Sequence, residues 1–367
     1  MRFGEATPEQ LADWDRHTVD VPGGNVYQSR VWAEQRARLG WRPRFLVADD
    51  GYRLLSLERP WRLVGGSGAY MSKGPVSAGD PVELTAERLE AASSWLFERG
   101  VDVVASDAEI PADSGYPALI EALGFRPIEE VQPSRHRVAL ELQADEPEGT
   151  YFAGFAMSTR QRVRQAEKAG LRVVRWDTRP DVRHSAWEGF ERPDPAVDPR
   201  TAFDLFFDLL EITAARRNFG LASRRGYVDW STAGLAAGLV VLLEIRTPDD
   251  ELIGGASFYR HGGRLTYSHS GDRADLRRAY PGVIHLLLWR AIQLAVRESM
   301  IEVDLAGVDV RGARREPAEG EEMAGLYSFK KSFGATWIEL TGNHERIARP
   351  WRYALGRATG RLPGGRR

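Results

Sequence analysis

Leu96–Asp107 reads LFERGVDVVASD, and Ala295–Gly307 reads AVRESMIEVDLAG. In each, the end of an apolar helix meets a short break. An apolar strand follows and closes on an aspartate, Asp107 in the first and Asp304 in the second. The surroundings match as well. Arg44–Glu58, RFLVADDGYRLLSLE, and Leu239–Arg260, LVVLLEIRTPDDELIGGASFYR, are both apolar hairpins about an acidic turn. The glycine-rich GGSGAYMSKGPV (65–76) and a helix over about 84–99 follow the first. The strand RLTYSHSG (264–271) and the buried helix GVIHLLLWRAIQLAVRE (282–298) follow the second. The order of elements therefore predicts a duplicated α/β (α+β) unit with mixed, mostly antiparallel sheets. The acidic, turn-rich QADEPEGT (143–150) marks the expected boundary, with a first domain over 1–146 and a second from 147 onward.

Local signals agree with this plan. SRVWAEQRARLGW begins at Ser29, a good N-cap, and has Gly40 as its stop. STRQRVRQAEKAG carries Ser158 and Gln161 at capping-box spacing and ends at Gly170. TAFDLFFDLLEITAARR is a strongly apolar helix.

The chain has 367 residues, a net charge of −2 and no cysteine. Disulfides, cysteine-based zinc sites and a thiol nucleophile are excluded. A near-neutral total means that any polyanion must meet a local patch. The N-terminal MRFGEATPEQLADWDR lacks the apolar core of a signal peptide, so the cytoplasm is the expected location. The seven histidines show no metal-ligand spacing, and no P-loop, G-x-S-x-G or H-E-x-x-H is present, so neither a metal nor a cofactor is expected.

Of 50 basic residues only four are lysines: Lys73, Lys168, Lys330 and Lys331. On a solvated surface the two cations exchange freely. A lysine in an arginine-rich chain marks a place that needs a compact ammonium or has no room for a guanidinium. Chance is the alternative reading, and it is weakest for the adjacent pair in LYSFKKSFGA (326–335). Arg160, Arg164 and Lys168 fall at i, i+4 and i+8 on one helix face. Such like charges cost roughly 0.2–0.5 kcal/mol per pair, which a phosphate-bearing partner would turn into binding energy. A plain solvated face is the other reading. TAARRNFGLASRRGY (213–227) sets Arg216, Arg217, Arg224 and Arg225 around Phe219 and Tyr227, a pattern suited to carboxylates or phosphates, or to an ordinary surface loop. Asp304, at a strand end, is placed either to accept a proton or to cap a turn.

Eight segments in order carry a family resemblance: YQSRVWAEQRARLGW, SKGPV, MSTRQRVRQAEKAGLRV, TAARRNFGLASRRGY, LIGGASFYRHGGRLTYSHSG, YPGVIHLLLWRAIQLA, IEVDLAGV and LYSFKKSFGA. Together they resemble the Fem family of tRNA-dependent aminoacyl ligases that build peptidoglycan cross-bridges. The resemblance spans nearly the whole chain and implies two tandem GNAT-like domains, with residues 335–367 completing the first. It implies transfer of an amino acid from aminoacyl-tRNA to the amino group of a peptidoglycan precursor, either UDP-MurNAc-pentapeptide or lipid II. Lys330 is then the catalytic candidate, facing the charge that develops on the reacting ester, and Asp304 is the second catalytic candidate. Arg36, Lys73, Arg216 and Tyr227 become substrate contacts, and Arg160, Arg164, Lys168 and Lys331 tRNA contacts. The interval from Phe219 to Gly238 is too short for the helical arm of some members. RRAYPGV departs from the glycine-rich coenzyme A fingerprint of ordinary GNAT enzymes, which argues against acetyl-CoA. The basic tail RIARPWRYALGRATGRLPGGRR suits acidic lipid, as peripheral membrane contact, or tRNA. A transferase of peptide natural-product biosynthesis and a non-catalytic binding protein remain open beside this reading.

Overall fold

The computed structural model describes residues 1–61, 65–132, 135–179, 187–217, 220–308 and 314–358. The chain opens with β1 (Phe3–Glu5), α1 (Pro8–Ala12), α2 (Trp14–Thr18) and α3 (Arg30–Arg38). Next come β2 (Arg42–Ala48), β3 (Arg53–Pro60), β4 (Ser67–Met71), α4 (Val82–Glu98), β5 (Val101–Ser106), α5 (Tyr116–Ala122), β6 (Arg126–Pro127) and β7 (His136–Glu141). The middle holds α6 (Glu148–Gly154), α7 (Met157–Lys168), β8 (Arg172–Trp176), α8 (Pro199–Arg217), α9 (Arg224–Ala236), β9 (Val240–Arg246), β10 (Leu252–His261) and β11 (Arg264–Asp272). It ends with α10 (Val283–Arg297), β12 (Glu302–Asp304), α11 (Ala324–Lys331), β13 (Thr336–Glu339), β14 (His344–Ile347) and α12 (Pro350–Ala358).

Two compact units result. The first takes residues 1–137, 309–316 and 337–367, and the second 138–308 and 317–336. Each is built on a seven-stranded sheet, in the orders β1-β2-β3-β4-β5-β14-β6 and β13-β7-β12-β11-β10-β9-β8. The division falls inside β7 and β13, upstream of the acidic stretch that marks a boundary in the sequence. The reason is pairing: Ala139–Glu141 of β7 lie antiparallel to β12. β4 pairs β5 and β11 pairs β12 in parallel, whereas the runs β1-β2-β3-β4, β5-β14-β6, β7-β12 and β11-β10-β9-β8 are antiparallel.

Burial explains the sequence of the second unit. β9 is buried on both faces, so VVLLEI runs without polar alternation and is broken only at Glu244, which pairs with Arg246. β10 has helices close on both sides, which accounts for its paired glycines. A Cβ on Gly254 would sit 2.4 Å from Val283 of α10, and one on Gly255 would sit 2.7 Å from Phe206 of α8. Successive strand residues face opposite ways, so two adjacent glycines let both helices approach.

Cap signals hold in part. Ser29 accepts from the Trp32 amide at 3.1 Å as expected of an N-cap. The capping box read at Ser158 does not form. α7 starts two residues earlier, with Ala156 as N-cap, and the Ala156 amide is bound instead to the Ser332 carbonyl at 2.9 Å. α12 packs Tyr353 against Trp61 and Val103 and leaves Trp351 and Leu355 exposed. The last nine residues of the basic tail lie outside the described residues, as does Phe219. Among the described residues no helix is long and apolar enough to cross a membrane.

Candidate active site

α11 places Lys330 one turn after buried Tyr327, and only 4% of Lys330 is exposed. Its Nζ donates to the carbonyl of Ala306 at 2.9 Å and of Gly307 at 2.6 Å. An ammonium has three N–H groups. The third meets no acceptor among the described residues. Burial drives the Lys330 pKa down from 10.5 to about 8, and the nearby Asp304 charge opposes that fall. A guanidinium would be bulkier and planar, and would hold its proton throughout.

The two carbonyls lie where β11 and β12 separate. The last paired residues are Thr266 and Asp304, after which β11 continues to Asp272 and the other strand stops. Ala306 then adopts a left-handed backbone, φ +61°. Asp304 is buried. One carboxylate oxygen accepts from the Ala306 amide at 2.7 Å, and the other from the Thr266 hydroxyl at 3.3 Å. Proton acceptance was one expectation for Asp304. Its geometry is the other one, a group that shapes the following turn.

The basic face of α7 is present as read from its spacing. Arg160, Arg164 and Lys168, with Met157, Gln161 and Gln165, line an open cavity of about 770 Å³. Arg160 donates to the Ala153 carbonyl at 2.6 Å, and the Arg164 guanidinium lies 5.5 Å from the Phe152 ring centre. Glu167 is engaged by Arg290 at 3.1 Å rather than by the three cations of that face. Lys331 is exposed, with its Nζ 5.7 Å from the Tyr327 ring centre.

In the first unit, α3 holds Arg36 between two indoles. The guanidinium carbon is 5.0 Å from the Trp32 ring centre and 5.2 Å from that of Trp41. Burial pushes the Arg36 pKa down from its ordinary value, and its Nε has no hydrogen-bond partner among the described residues.

Residues 156–331 match the family model described as an acetyltransferase (GNAT) domain. Among solved structures, FemX superposes with a TM-score of 0.77 at 18% identity, over 97% of this chain and 99% of that one. The chain has the tandem GNAT fold of FemX. The L-PGS of Bacillus licheniformis follows at TM-score 0.52 and 13% identity, with 98% of each chain covered. A protein of unknown function from Bacteroides thetaiotaomicron gives 0.53 and 14%, over 94% of this chain and 98% of that one. No curated protein matches the chain by sequence. The resemblance therefore holds for the fold, and the stretch that matches the acetyltransferase (GNAT) domain model lies mainly within the second unit.

Within the FemX-like fold, two sequence-derived contacts, Lys73 and Tyr227, lie in the core, while Arg216 stands at a charged edge. Lys73 is buried and bound to Asp107 at 3.2 Å, with Glu109 at 3.8 Å. Burial alone would lower its pKa, but the Asp107 and Glu109 charges outweigh it and the net direction is upward. Lys73 is thus a core ion pair and not an open substrate contact. Tyr227 is also core. Its ring packs on Phe206, Phe207 and His269, and its hydroxyl lies 3.1 Å from the Ser257 hydroxyl. Arg216 is held by Asp272 at 3.0 Å, and Arg277 binds the same carboxylate at 2.7 Å. Two cations on one anion leave a net positive edge.

Sequence reading missed the indoles around Arg36 and the carbonyls around Lys330. The first had a signal, since Trp32 lies one turn before Arg36 on α3 and Trp41 follows just after the helix. The second had none, because backbone carbonyls carry no residue code.

Proposed function

We propose that the protein transfers an aminoacyl group from aminoacyl-tRNA to the stem-peptide amine of a peptidoglycan precursor. The observation that carries this reading is the buried Lys330 ammonium, held by two neutral carbonyls with one N–H left over among the described residues. The ester of aminoacyl-tRNA is already activated. A neutral amine attacks its carbonyl carbon, a C–N bond forms, and the carbonyl oxygen becomes an oxyanion. Collapse breaks the ester C–O bond, and the proton shed by the amine ends on the departing 3′ oxygen. No protein nucleophile is needed. The enzyme's tasks are alignment and stabilisation of the oxyanion, and a pre-positioned ammonium in a water-poor site suits the second.

The remaining residues fit two large anionic substrates. The cations of α7 give a surface for the tRNA backbone. Arg36, framed by two indoles, and the net positive edge at Arg216 suit phosphates or carboxylates of UDP-MurNAc-pentapeptide or lipid II. Coenzyme A is disfavoured as donor. Gly282 caps α10, where a pyrophosphate would rest in a GNAT enzyme, and a Cβ there would meet the Arg162 carbonyl of α7 at 2.2 Å. The proposed workplace is the cytoplasm, where aminoacyl-tRNA is found. For a lipid-linked acceptor, exposed Trp351 and Leu355 give a peripheral membrane contact.

The test is transfer from a panel of tRNAs charged with labelled amino acids to UDP-linked and lipid-linked pentapeptide. Labelled precursor together with discharged tRNA is expected. Binding of both substrates without discharge would favour a non-catalytic protein. Discharge onto a different peptide amine only would favour natural-product synthesis.

A further inference from the structure

The Lys330 cradle is supported from behind by three neighbouring strands. Asp304 ends β12, Thr266 lies opposite it on β11, and His261 ends β10. The Thr266 hydroxyl is 3.3 Å from the Asp304 carboxylate and 3.0 Å from His261 Nε2. A carboxylate only accepts, so the hydroxyl donates to Asp304 and receives from the imidazole. His261 then carries its proton on Nε2, and Arg264 faces the other ring nitrogen at 3.5 Å. The donor chain runs one way and ends on Asp304. The second oxygen of Asp304 holds the Ala306 amide in its left-handed turn, and that turn, together with the Val138 amide on the Ala306 carbonyl at 3.2 Å, aims two successive carbonyls at the ammonium.

We propose that Thr266 and His261 are positioning residues that act through Asp304 to keep the Ala306 and Gly307 carbonyls on Lys330. The first unit shows what the alternative looks like. There the aspartate that follows β5, Asp107, binds the Lys73 ammonium itself at 3.2 Å. An ammonium locked to a carboxylate has its charge cancelled. In the second unit the carboxylate instead shapes the backbone, and neutral oxygens hold the ammonium. The charge stays available to a substrate oxyanion. This inference rests on the role given to Lys330, so its test includes a readout that needs no transfer.

The chain has only four lysines, so labelling lysine Cε with carbon-13 gives a sparse spectrum in which Lys330→Met identifies the Lys330 signal. The groups facing the chain are Asp304 and Glu302 on β12, Arg264 on β11 and His261 on β10, with Glu302 4.0 Å from Arg264. Thr266→Val removes the hydroxyl and keeps the shape. Its Lys330 midpoint is expected to fall below that of the unaltered protein, because the charged form loses its acceptors. Turnover is expected to drop about tenfold at unchanged KM, with Thr266→Ser restoring both. An unmoved or raised midpoint in folded Thr266→Val would overturn the proposal, whether or not transfer is detected. Should that variant fail to fold, His261→Phe cuts the same chain at its far end and is held to the same midpoint criterion. A shifted midpoint with no transfer in any form, unaltered protein included, would count against the proposed function and leave the positioning role intact.

Discussion

The Lys330 ammonium lies 2.6 Å from the carbonyl oxygen of Gly307, a neutral partner. Lys73, the other buried lysine, lies 3.2 Å from the Asp107 carboxylate. One chain therefore buries two ammonium groups in opposite electrostatic settings. The first is an acidified, available charge, and the second is a satisfied internal pair.

Loss of Lys330 should act on turnover. Removing one pre-organised donor to an oxyanion typically costs about 10²–10³ in kcat. Lys330→Met is expected to show that fall with KM for both substrates within about twofold. Lys330→Arg should be nearly as poor, because a planar fork does not fit between two carbonyls placed for an ammonium. Single-turnover transfer at saturating substrate is the measurement. Wild-type rates in Lys330→Met would remove Lys330 from the reaction.

The same group makes stability depend on pH with a defined sign. Burial lowers its pKa from 10.5 to about 8. Between those values the unfolded chain holds the proton and the folded chain does not, so stability rises with pH across that window. The fall corresponds to about 3 kcal/mol at ~1.4 kcal/mol per pH unit. Lys330→Met lacks this rise. Urea unfolding at several pH values should show the unaltered protein gaining on the variant from pH 8 upward. Parallel curves would contradict the acidified ammonium.

Much of this fold is legible in the residues. The apolar hairpins and the two strands that run into an aspartate follow directly from periodicity and burial. The scarcity of lysine points to Lys330 as well. It points equally to Lys73, because a preference for ammonium over guanidinium does not tell whether the partner is a carboxylate or a carbonyl. Tyr227 misleads for a related reason: a tyrosine among arginines reads as a contact, and only packing against Phe206 and Phe207 places it in the core. The division of the units depends on β7 pairing with β12, a long-range choice that local composition does not encode.

Lys73→Met tests the contrast between the two buried lysines. Removing one member of a buried pair leaves the other charge uncompensated, a loss of roughly 3–5 kcal/mol. Denaturant unfolding should show that loss, and Lys73→Met with Asp107→Asn should recover part of it. Transfer per folded molecule should stay at the unaltered level. A selective rise in KM for the precursor would instead return Lys73 to the substrate site.

The α7 face gives a prediction about salt. If Arg164 and Lys168 each neutralise one tRNA phosphate, each released counterion contributes to the slope of log affinity against log salt, about 0.7–0.9 per contact. Arg164→Gln and Lys168→Gln together should flatten that slope by roughly 1.5 and weaken tRNA binding most at low salt. Both side chains are exposed and line the cavity, so the fold should tolerate the change. The acceptor's KM is expected to stay constant, because the substitutions remove charge only from the donor's surface. Filter binding of tRNA across a salt series measures the slope. An unchanged slope would mean that α7 presents its cations to solvent alone, and the donor would have to be held elsewhere.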